Sequence, residues 1–237
     1  DNETELRRKL EEEGDNILRY FASNRLVANA SKTAMVVFRT NKTEPFSITL
    51  AGETITESSE EKVLGVYIQD DLKWKKQTEK VTSEVYYAVS VLKRLRGQLG
   101  FKELKTIADG TVNSKLRYCL PVYAAESLRF NENDPKSTLM QQLQRAQNEM
   151  LRTIMRRRRS DRSRISDLLA TTGFLSVNQA AAYSLIMELW KAREFGVPIL
   201  SELLGRRRND DRILRSDSAN KVSTTGRDIL AINCEKL

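Results

Sequence analysis

Lys32 is the first residue whose type and position could support chemistry. It precedes the continuously apolar run Ala34–Phe38, which predicts a short strand. A lysine at such a strand end can neutralise the negative charge that develops on a leaving pyrophosphate, or donate a proton to it. The alternative is a lysine whose ammonium group only reaches water from a strand end. Lys32 is therefore a candidate general acid for nucleotidyl transfer.

The tripeptide Leu64-Gly65-Val66 is a second candidate, within the run Lys62–Ile68 that predicts a strand. In a strand, Leu64 and Val66 would share one face, and Gly65 would lie on the other. A glycine inside a strand costs stability, and it often marks a place where another backbone comes close. A nucleic-acid primer is one such backbone, and a β-bulge without a ligand is the alternative.

Asp70 and Asp71 are the carboxylate pair nearest to these features. Polymerases often hold two metal ions with a Tyr-x-Asp-Asp turn, but here two residues separate Tyr67 from Asp70. The following residues, Leu72–Lys76, predict the start of a helix where such a turn requires a second apolar strand. We therefore expect Asp70 and Asp71 to place negative charge at a helix N-terminus and cap it, and we expect no metal site in this chain.

Basic residues are concentrated in two parts of the chain. Residues 139–164 contain eight arginines against Glu149 and Asp161, a local balance of 8 − 2 = +6. This density at the end of a predicted helix suits phosphate contacts, which give salt-dependent and sequence-independent binding. A solvated face or a nuclear-import signal is the alternative. The candidate nucleic-acid-binding residues are Lys73, Lys75, Lys76, Lys80, Arg145, Arg152, Arg156, Arg157, Arg158 and Arg159.

The composition excludes several classes of site. The chain has no histidine, which rules out histidine-based triads, His-Glu-x-x-His zinc sites and Cys₂His₂ fingers. Lys and Arg exceed Asp and Glu by 40 − 32 = 8, which favours an acidic partner such as nucleic acid. The two cysteines, Cys119 and Cys234, are far apart and fit a reducing compartment, so we expect the nucleus or cytoplasm. No apolar run approaches the ~18 residues that span a bilayer, and we expect no membrane partner.

The order of predicted elements indicates an α+β fold. Apolar residues at three- and four-residue steps predict a helix over 4–26. The segments Phe46–Leu50 and Glu53–Thr56 flank Ala51-Gly52 and predict a hairpin, so that the sheet is antiparallel. From Trp74 onwards the apolar spacing is helical, with the last helix, Val177–Phe195, capped by Ser176. The polar tail beyond Gly205 is expected to be poorly ordered.

Several short motifs occur in a family-specific order. They are Asn24-Arg25-Leu26, Lys32-Thr33, Leu64-Gly65-Val66 and Leu72-Lys73-Trp74, followed by Leu143–Asn148 with Arg152, Leu175–Gln179 and Trp190-Lys191. In this order the chain resembles the downstream half of a reverse transcriptase (RNA-directed DNA polymerase) of a non-LTR, LINE-type retrotransposon. The resemblance covers roughly residues 1–200.

The resemblance implies a palm remnant, consisting of a helix and a small antiparallel sheet, then an all-helical thumb and a helical C-terminal extension. Residues 1–70 would be the C-terminal part of the palm with its primer-grip hairpin, 71–130 the thumb, 136–205 the basic extension and 206–237 the poorly ordered tail. Lys32 matches a lysine of the palm, and Leu64, Gly65 and Val66 match the primer grip. The implied partners are an RNA/DNA template–primer duplex and the rest of the parent polymerase.

The chain departs from the family pattern in two ways. Gln77 stands where the family usually has histidine. The catalytic Tyr-Ala-Asp-Asp turn would fall about ten residues before Asp1, so this chain alone is expected to be inactive, and Mg²⁺ would belong to the complete parent polymerase. The alternatives are a domesticated or stand-alone nucleic-acid-binding module without polymerase activity, or a decayed copy without function, which Gln77 favours.

Overall fold

The computed structural model describes residues 3–29, 32–38, 44–128 and 138–196. The chain divides after Gln77 into two compact units, residues 1–77 and 78–237. The described part is mostly helical with two small antiparallel sheets, which confirms the predicted α+β class. The tail 206–237, expected to be poorly ordered, lies outside the described residues.

The first unit begins with helix α1, Glu3–Ser23, which confirms the predicted helix to within a turn. The face of α1 that packs on the following hairpin includes two polar contacts. Glu11 Oε1 accepts a hydrogen bond from the Thr49 amide at 2.8 Å, and the Arg7 guanidinium lies 5.4 Å from the ring centre of Phe46. The apolar residues that predicted the helix, including Leu6, Leu10 and Ile17, are largely exposed to solvent.

Strands β1, Ser47–Leu50, and β2, Glu53–Thr56, form the predicted hairpin. Its two turn residues, Ala51 and Gly52, have φ of 50° and 80°, as a two-residue type I′ turn requires. Phe46, Ile48 and Ile55 are buried in its core, with Met35, Val37 and Leu50 packed against them.

The predicted strand over Ala34–Phe38 is wrong, although part of this run does pack on the hairpin. Only Met35 bridges to a neighbouring chain segment, in parallel with Glu57, and its carbonyl accepts from the Ser58 amide at 2.8 Å. Strand β2 has already ended at Thr56, so no ladder is available to the residues after Met35.

The single strand predicted over Lys62–Ile68 is also wrong, because the chain reverses within it. Strands β3, Glu60–Val63, and β4, Val66–Gln69, pair in antiparallel fashion around Leu64 and Gly65. These two residues have φ of 48° and 87°, which again indicates a type I′ turn. Gly65 is thus a turn residue, where its left-handed conformation carries no steric cost.

Two glutamine side chains join β4 to the first turn of helix α2, Lys75–Leu95. One glutamine is on the strand and the other is on the helix. Gln69 Oε1 accepts from the Lys76 amide at 3.0 Å, which satisfies a first-turn donor. Gln77 is 1% exposed, and its Oε1 accepts from the Tyr67 amide on the strand, also at 3.0 Å. Asp71, which was expected to cap this helix, bonds to a residue that precedes the helix. Its Oδ1 accepts from the Lys73 amide, two residues before α2 begins.

The second unit is helical in its described part. After α2 come α3, Phe101–Ala108, a π-helical turn, Asp109–Asn113, and α4, Ser114–Arg117, which follow one another without a break and agree with the helical spacing predicted from Trp74 onwards. The remaining helices are α5, Leu120–Ala124, α6, Thr138–Ile154, α7, Ile165–Thr172, and α8, Val177–Glu194.

The core of the second unit is formed by the apolar stripes that the sequence pattern predicts. Fully buried side chains come from α2, α3, the π-helical turn and α6, and they include Leu92, Leu104, Val112, Leu143, Met150 and Leu151. Burying a leucine in this way contributes about 1.5–3 kcal/mol. Ser176 caps α8 as predicted, since its hydroxyl accepts from the Gln179 amide at 3.2 Å.

An amide network joins α6 to the turn before α8. Gln144 Oε1 accepts from the Val177 amide at 2.9 Å, and Gln147 Nε2 donates to the Leu175 carbonyl at 2.9 Å. Gln144 Nε2 also donates to the Gln147 side chain. The polar residues of Leu143–Asn148, which carry part of the family resemblance, therefore fix the start of α8.

We predict that Gln77→Ala destabilises the first unit by about 1–3 kcal/mol, because the Tyr67 amide loses its acceptor in a buried place. Urea unfolding should show the loss, and hydrogen exchange at the Tyr67 amide should accelerate. Glu79→Ala, an exposed change on the same helix, is the control and should alter neither. Unchanged exchange at Tyr67 in Gln77→Ala would contradict the proposed role of this hydrogen bond.

Candidate nucleic-acid interface

Helix α6 ends at Ile154, two residues before four consecutive arginines. Arg156 adopts a left-handed conformation with φ of 53°, its amide donates to the Thr153 carbonyl, and the Arg157 amide donates to the Arg152 carbonyl at 2.9 Å. This pair of bonds is a Schellman motif, which ends a helix and satisfies its last carbonyls. The arginines therefore leave the helix and form an exposed segment, Arg156–Arg162, which we name the arginine loop.

Asp161 shapes the arginine loop from within. Its Oδ2 accepts from the Arg158 amide at 2.7 Å, and its own amide donates to the Arg158 carbonyl at 3.2 Å. These bonds close a short 3₁₀ turn over Arg159–Asp161. Arg162, at φ 46°, then redirects the chain towards α7.

Two of the arginines fasten the loop to the rest of the second unit. Arg156 Nη2 donates to the Leu99 carbonyl, in the turn between α2 and α3, at 2.8 Å. Arg159 Nε donates to Glu149 Oε1 at 2.6 Å, while Lys93 Nζ of α2 donates to Oε2 of the same carboxylate at 3.3 Å. One carboxylate thus holds a lysine and an arginine from different parts of the unit side by side.

Glu149 is 13% exposed at its side chain, and two effects act on its pKa. Burial raises the pKa of this carboxyl, but the hydrogen bonds and charges of Arg159 and Lys93 outweigh burial and hold the pKa below its ordinary value of 4.5. The same contact raises the pKa of Arg159. The carboxylate is therefore ionised at neutral pH and fixes both cations.

Arg157 and Arg158 differ from their two neighbours. Both are exposed, and their guanidinium groups make no hydrogen bond or ion pair with the residues that the structure describes. Arg145 is likewise exposed on α6. Arg152 is half-buried, and its Nη1 is a buried donor that meets no acceptor in the described part of the chain. The six predicted arginines thus fall into two that build the loop and four with unused donors.

Most of the predicted lysines lie near an acidic side chain. Lys73, Lys75 and Lys76 belong to the first unit and Lys80 to the second. Lys76 forms an ion pair with Glu60 and lies 4.7 Å from the ring centre of Tyr67. Lys73 lies 3.4 Å from Asp71, and Lys80 lies 3.9 Å from Glu84. Most of this charge is locally balanced, and only Lys75 is exposed without a recorded acidic partner among the described residues.

The hairpin β3–β4 presents a strained apolar tip. Leu64 is 86% exposed at a positive φ, a conformation that costs an L-residue other than glycine roughly 1–2 kcal/mol. Val66, in contrast, is buried. Of the three residues expected to form a primer grip, the structure offers Leu64 and the backbone around Gly65, while the Val66 side chain faces inwards. Ala51 in the first hairpin has a similar φ, so the large exposed side chain and not the strain distinguishes this tip.

Lys32 lies outside the two hairpins of the first unit. It is exposed, and its amide donates to the Asn29 carbonyl at 3.0 Å. The strand that it was expected to precede does not form. Its role as a general acid stays a prediction about the complete polymerase.

Sequence reasoning did not identify Glu149 as part of the interface, although one signal could have found it. Glu149 occurs on α6 at the four- and three-residue steps that also carry Arg145 and Arg152. An acid on an otherwise arginine-rich helix stripe is a candidate anchor. Its two partners come from α2 and from beyond α6, and no local pattern predicts that meeting.

The described residues were expected to offer neither a metal site nor a membrane-spanning helix. Within the described ranges, cysteine, aspartate and glutamate side chains do not gather in groups of three or more that could hold a metal ion. Of the helices described, none combines the length and apolarity needed to cross a bilayer.

We predict that Leu64→Asn stabilises the hairpin by about 1 kcal/mol, because asparagine tolerates the left-handed conformation of a type I′ turn. If the leucine contacts a primer, the same change should weaken binding to an RNA/DNA hybrid severalfold. Ala51→Asn makes the same backbone change in the first hairpin and serves as the control. Equal binding by the two variants would argue against a functional tip.

We predict that Glu149→Gln lowers stability at pH 7 and that its difference from the parent protein closes in acid. A carboxylate with a depressed folded-state pKa contributes its full stability above its unfolded pKa, near 4.5, and loses it as the pH falls through the lower folded value. Urea unfolding at pH 7 and at about pH 3 tests this. Glu103→Gln, an exposed carboxylate on α3, is the control. A constant difference across this range would contradict the assigned ionisation.

The chain was also compared with known proteins. Family models, curated protein sequences and solved structures all returned no match. Its function therefore has to follow from its own residues, of which the arginine loop and the strained hairpin tip are the strongest features.

Proposed function

We propose that this chain is the C-terminal palm and thumb portion of a LINE-type reverse transcriptase, and that its task is to hold the template–primer duplex. The order of the family-like motifs supports the polymerase assignment. One structural observation carries the binding assignment: Glu149 and the Leu99 carbonyl anchor the arginine loop so that the guanidinium groups of Arg157 and Arg158 are left exposed.

Such an arrangement favours phosphates over bases. A guanidinium group is planar, always charged and able to donate two parallel hydrogen bonds to a phosphate. Because Arg156 and Arg159 already fix the loop, less conformational freedom is lost when its neighbours bind. Contacts to phosphates position a protein on nucleic acid without reading its sequence.

The bond-making step would belong to another part of the parent polymerase. Mg²⁺ prefers oxygen ligands such as clustered carboxylates, and the described residues do not offer such a cluster. By the family resemblance, the metal would be held by the catalytic carboxylates of the parent polymerase. In the complete enzyme, Lys32 would act near the leaving pyrophosphate and Leu64 near the primer.

A stand-alone nucleic-acid-binding module without polymerase activity is the second candidate. The second unit favours it, because this unit has its own buried core from α2, α3 and α6. The coding transcript upstream of Asp1 distinguishes the two: a Tyr/Phe-Ala-Asp-Asp run supports the polymerase, and a start codon in its place supports the module. Gln77, the departure from the family pattern, has a buried structural role, so it does not favour a decayed copy.

We predict that the protein binds an RNA/DNA hybrid with a steep salt dependence. The double variant Arg157→Ala/Arg158→Ala should bind more weakly and with a smaller salt dependence. Each phosphate contact adds about 0.9 to the slope of log affinity against log salt, so the double variant should lose about 2 from that slope. Fluorescence anisotropy at several salt concentrations measures this. Hybrids of different sequence should bind alike.

The matched control removes the same charge elsewhere in the second unit. Lys102 on α3 and Arg193 on α8 are exposed, and changing both to alanine lowers the net charge equally. This control should leave the salt slope nearly unchanged. The same loss in both double variants would reduce the effect to net charge, and affinity independent of salt would exclude phosphate binding.

A further inference from the structure

Ser160 occupies the middle of the arginine loop, directly after four arginines. It belongs to the 3₁₀ turn Arg159–Asp161 and is exposed to solvent. Its Oγ lies 3.4 Å from Asp161 Oδ1, which is at most a weak hydrogen bond. The hydroxyl is thus accessible, and it directly follows four arginines in the chain.

The residues before Ser160 have the pattern that an arginine-directed protein kinase reads. Such kinases carry carboxylates in the peptide groove and select substrates by charge. Arg157 and Arg158 stand three and two residues before the serine, and their guanidinium groups are unengaged within the described chain. We propose that Ser160 is a phosphorylation site for such a kinase and that its phosphate releases bound nucleic acid.

A kinase groove takes an extended peptide, so the turn around Ser160 has to open. The turn is one 3₁₀ turn long, and opening it breaks two bonds, from the Asp161 amide to the Arg158 carbonyl at 3.2 Å and from the Arg158 amide to Asp161 Oδ2 at 2.7 Å. Every residue from Arg156 to Arg162 is exposed, so opening it uncovers no core. Segments with few buried contacts open at low cost.

The reaction is a simple phosphoryl transfer from ATP. The Ser160 Oγ attacks the γ-phosphorus, a new O–P bond forms, and the bond between the γ-phosphorus and the β,γ-bridging oxygen breaks. ADP leaves with the bond electrons, and the hydroxyl proton passes to the catalytic base of the kinase. The product is a phosphoserine with a charge between about −1.5 and −2 at neutral pH.

That charge would act on the groups that form the interface. The phosphate offers strong acceptors to Arg157 and Arg158, so these arginines would pair within the protein and not with nucleic acid. The phosphate would also act on the two carboxylates that shape the loop. It would compete with Glu149 for Arg159, and it would repel Asp161. This effect on binding rests on the proposed function, whereas the modification itself does not.

Two nearby serines provide controls within the same chain. Ser163 is half-buried and lacks a pair of arginines at the corresponding positions. Ser166 Oγ donates to Asp167 Oδ1 at 3.1 Å, within the first turn of α7. Neither is expected to be modified at a comparable rate.

The test treats the full chain with the catalytic subunit of cyclic-AMP-dependent protein kinase, as an arginine-directed probe, and Mg-ATP. Peptide mass spectrometry should find phosphate on Ser160, none in Ser160→Ala, and a rate at least tenfold lower in Arg157→Ala/Arg158→Ala. Ser163→Ala should be modified as fast as the parent protein. Absence of phosphate at Ser160, while a control peptide is modified, would overturn the site.

A second measurement separates the site from its consequence. The phosphorylated protein should bind the hybrid about tenfold more weakly at low salt, with a salt slope smaller by about 2. If Ser160 is modified and binding is unchanged, the proposed release is wrong. If Ser160 is modified and even the unmodified protein fails to bind the hybrid, the site stands and the proposed function fails.

Discussion

The candidate interface depends on the carboxylate of Glu149. It accepts hydrogen bonds from Lys93 and Arg159 at 3.3 Å and 2.6 Å, and so joins α2 to the arginine loop. Without this carboxylate, Arg159 and Lys93 would repel each other, and of the two anchoring contacts found among the described residues the loop would keep the one from Arg156 to the Leu99 carbonyl. An acid inside a basic patch is therefore what holds the patch in place.

The two acids in residues 139–164 have related tasks. Glu149 fixes the loop from outside, and Asp161 closes its 3₁₀ turn from within. Together they lower the local charge from +8 to 8 − 2 = +6, so they weaken long-range attraction to phosphates while they define where the remaining guanidinium groups are placed. A loop with fewer free charges but a fixed shape loses less entropy when it binds.

Local patterns were sufficient to predict some elements and not others. The helix α1, the hairpin around Ala51-Gly52 and the Ser176 cap each follow from spacing or turn chemistry within a few residues. The hairpin within Lys62–Ile68 was missed because leucine is an unusual first residue for a type I′ turn. The arginines were found from sequence, but their division into anchors and free donors depends on Glu149 and Leu99, which only the tertiary fold brings to them.

The two hairpins of the first unit differ in the size of the residue that begins the turn. Both use a type I′ turn with glycine second, and both place an L-residue with φ near 50° first. The steric cost is similar in the two turns, yet one carries the small Ala51 and the other a leucine that is 86% exposed. Exposure of this leucine gains no burial energy, so the side chain stays available at the hairpin tip. Under the proposed function, it is the group that the tip offers to a primer.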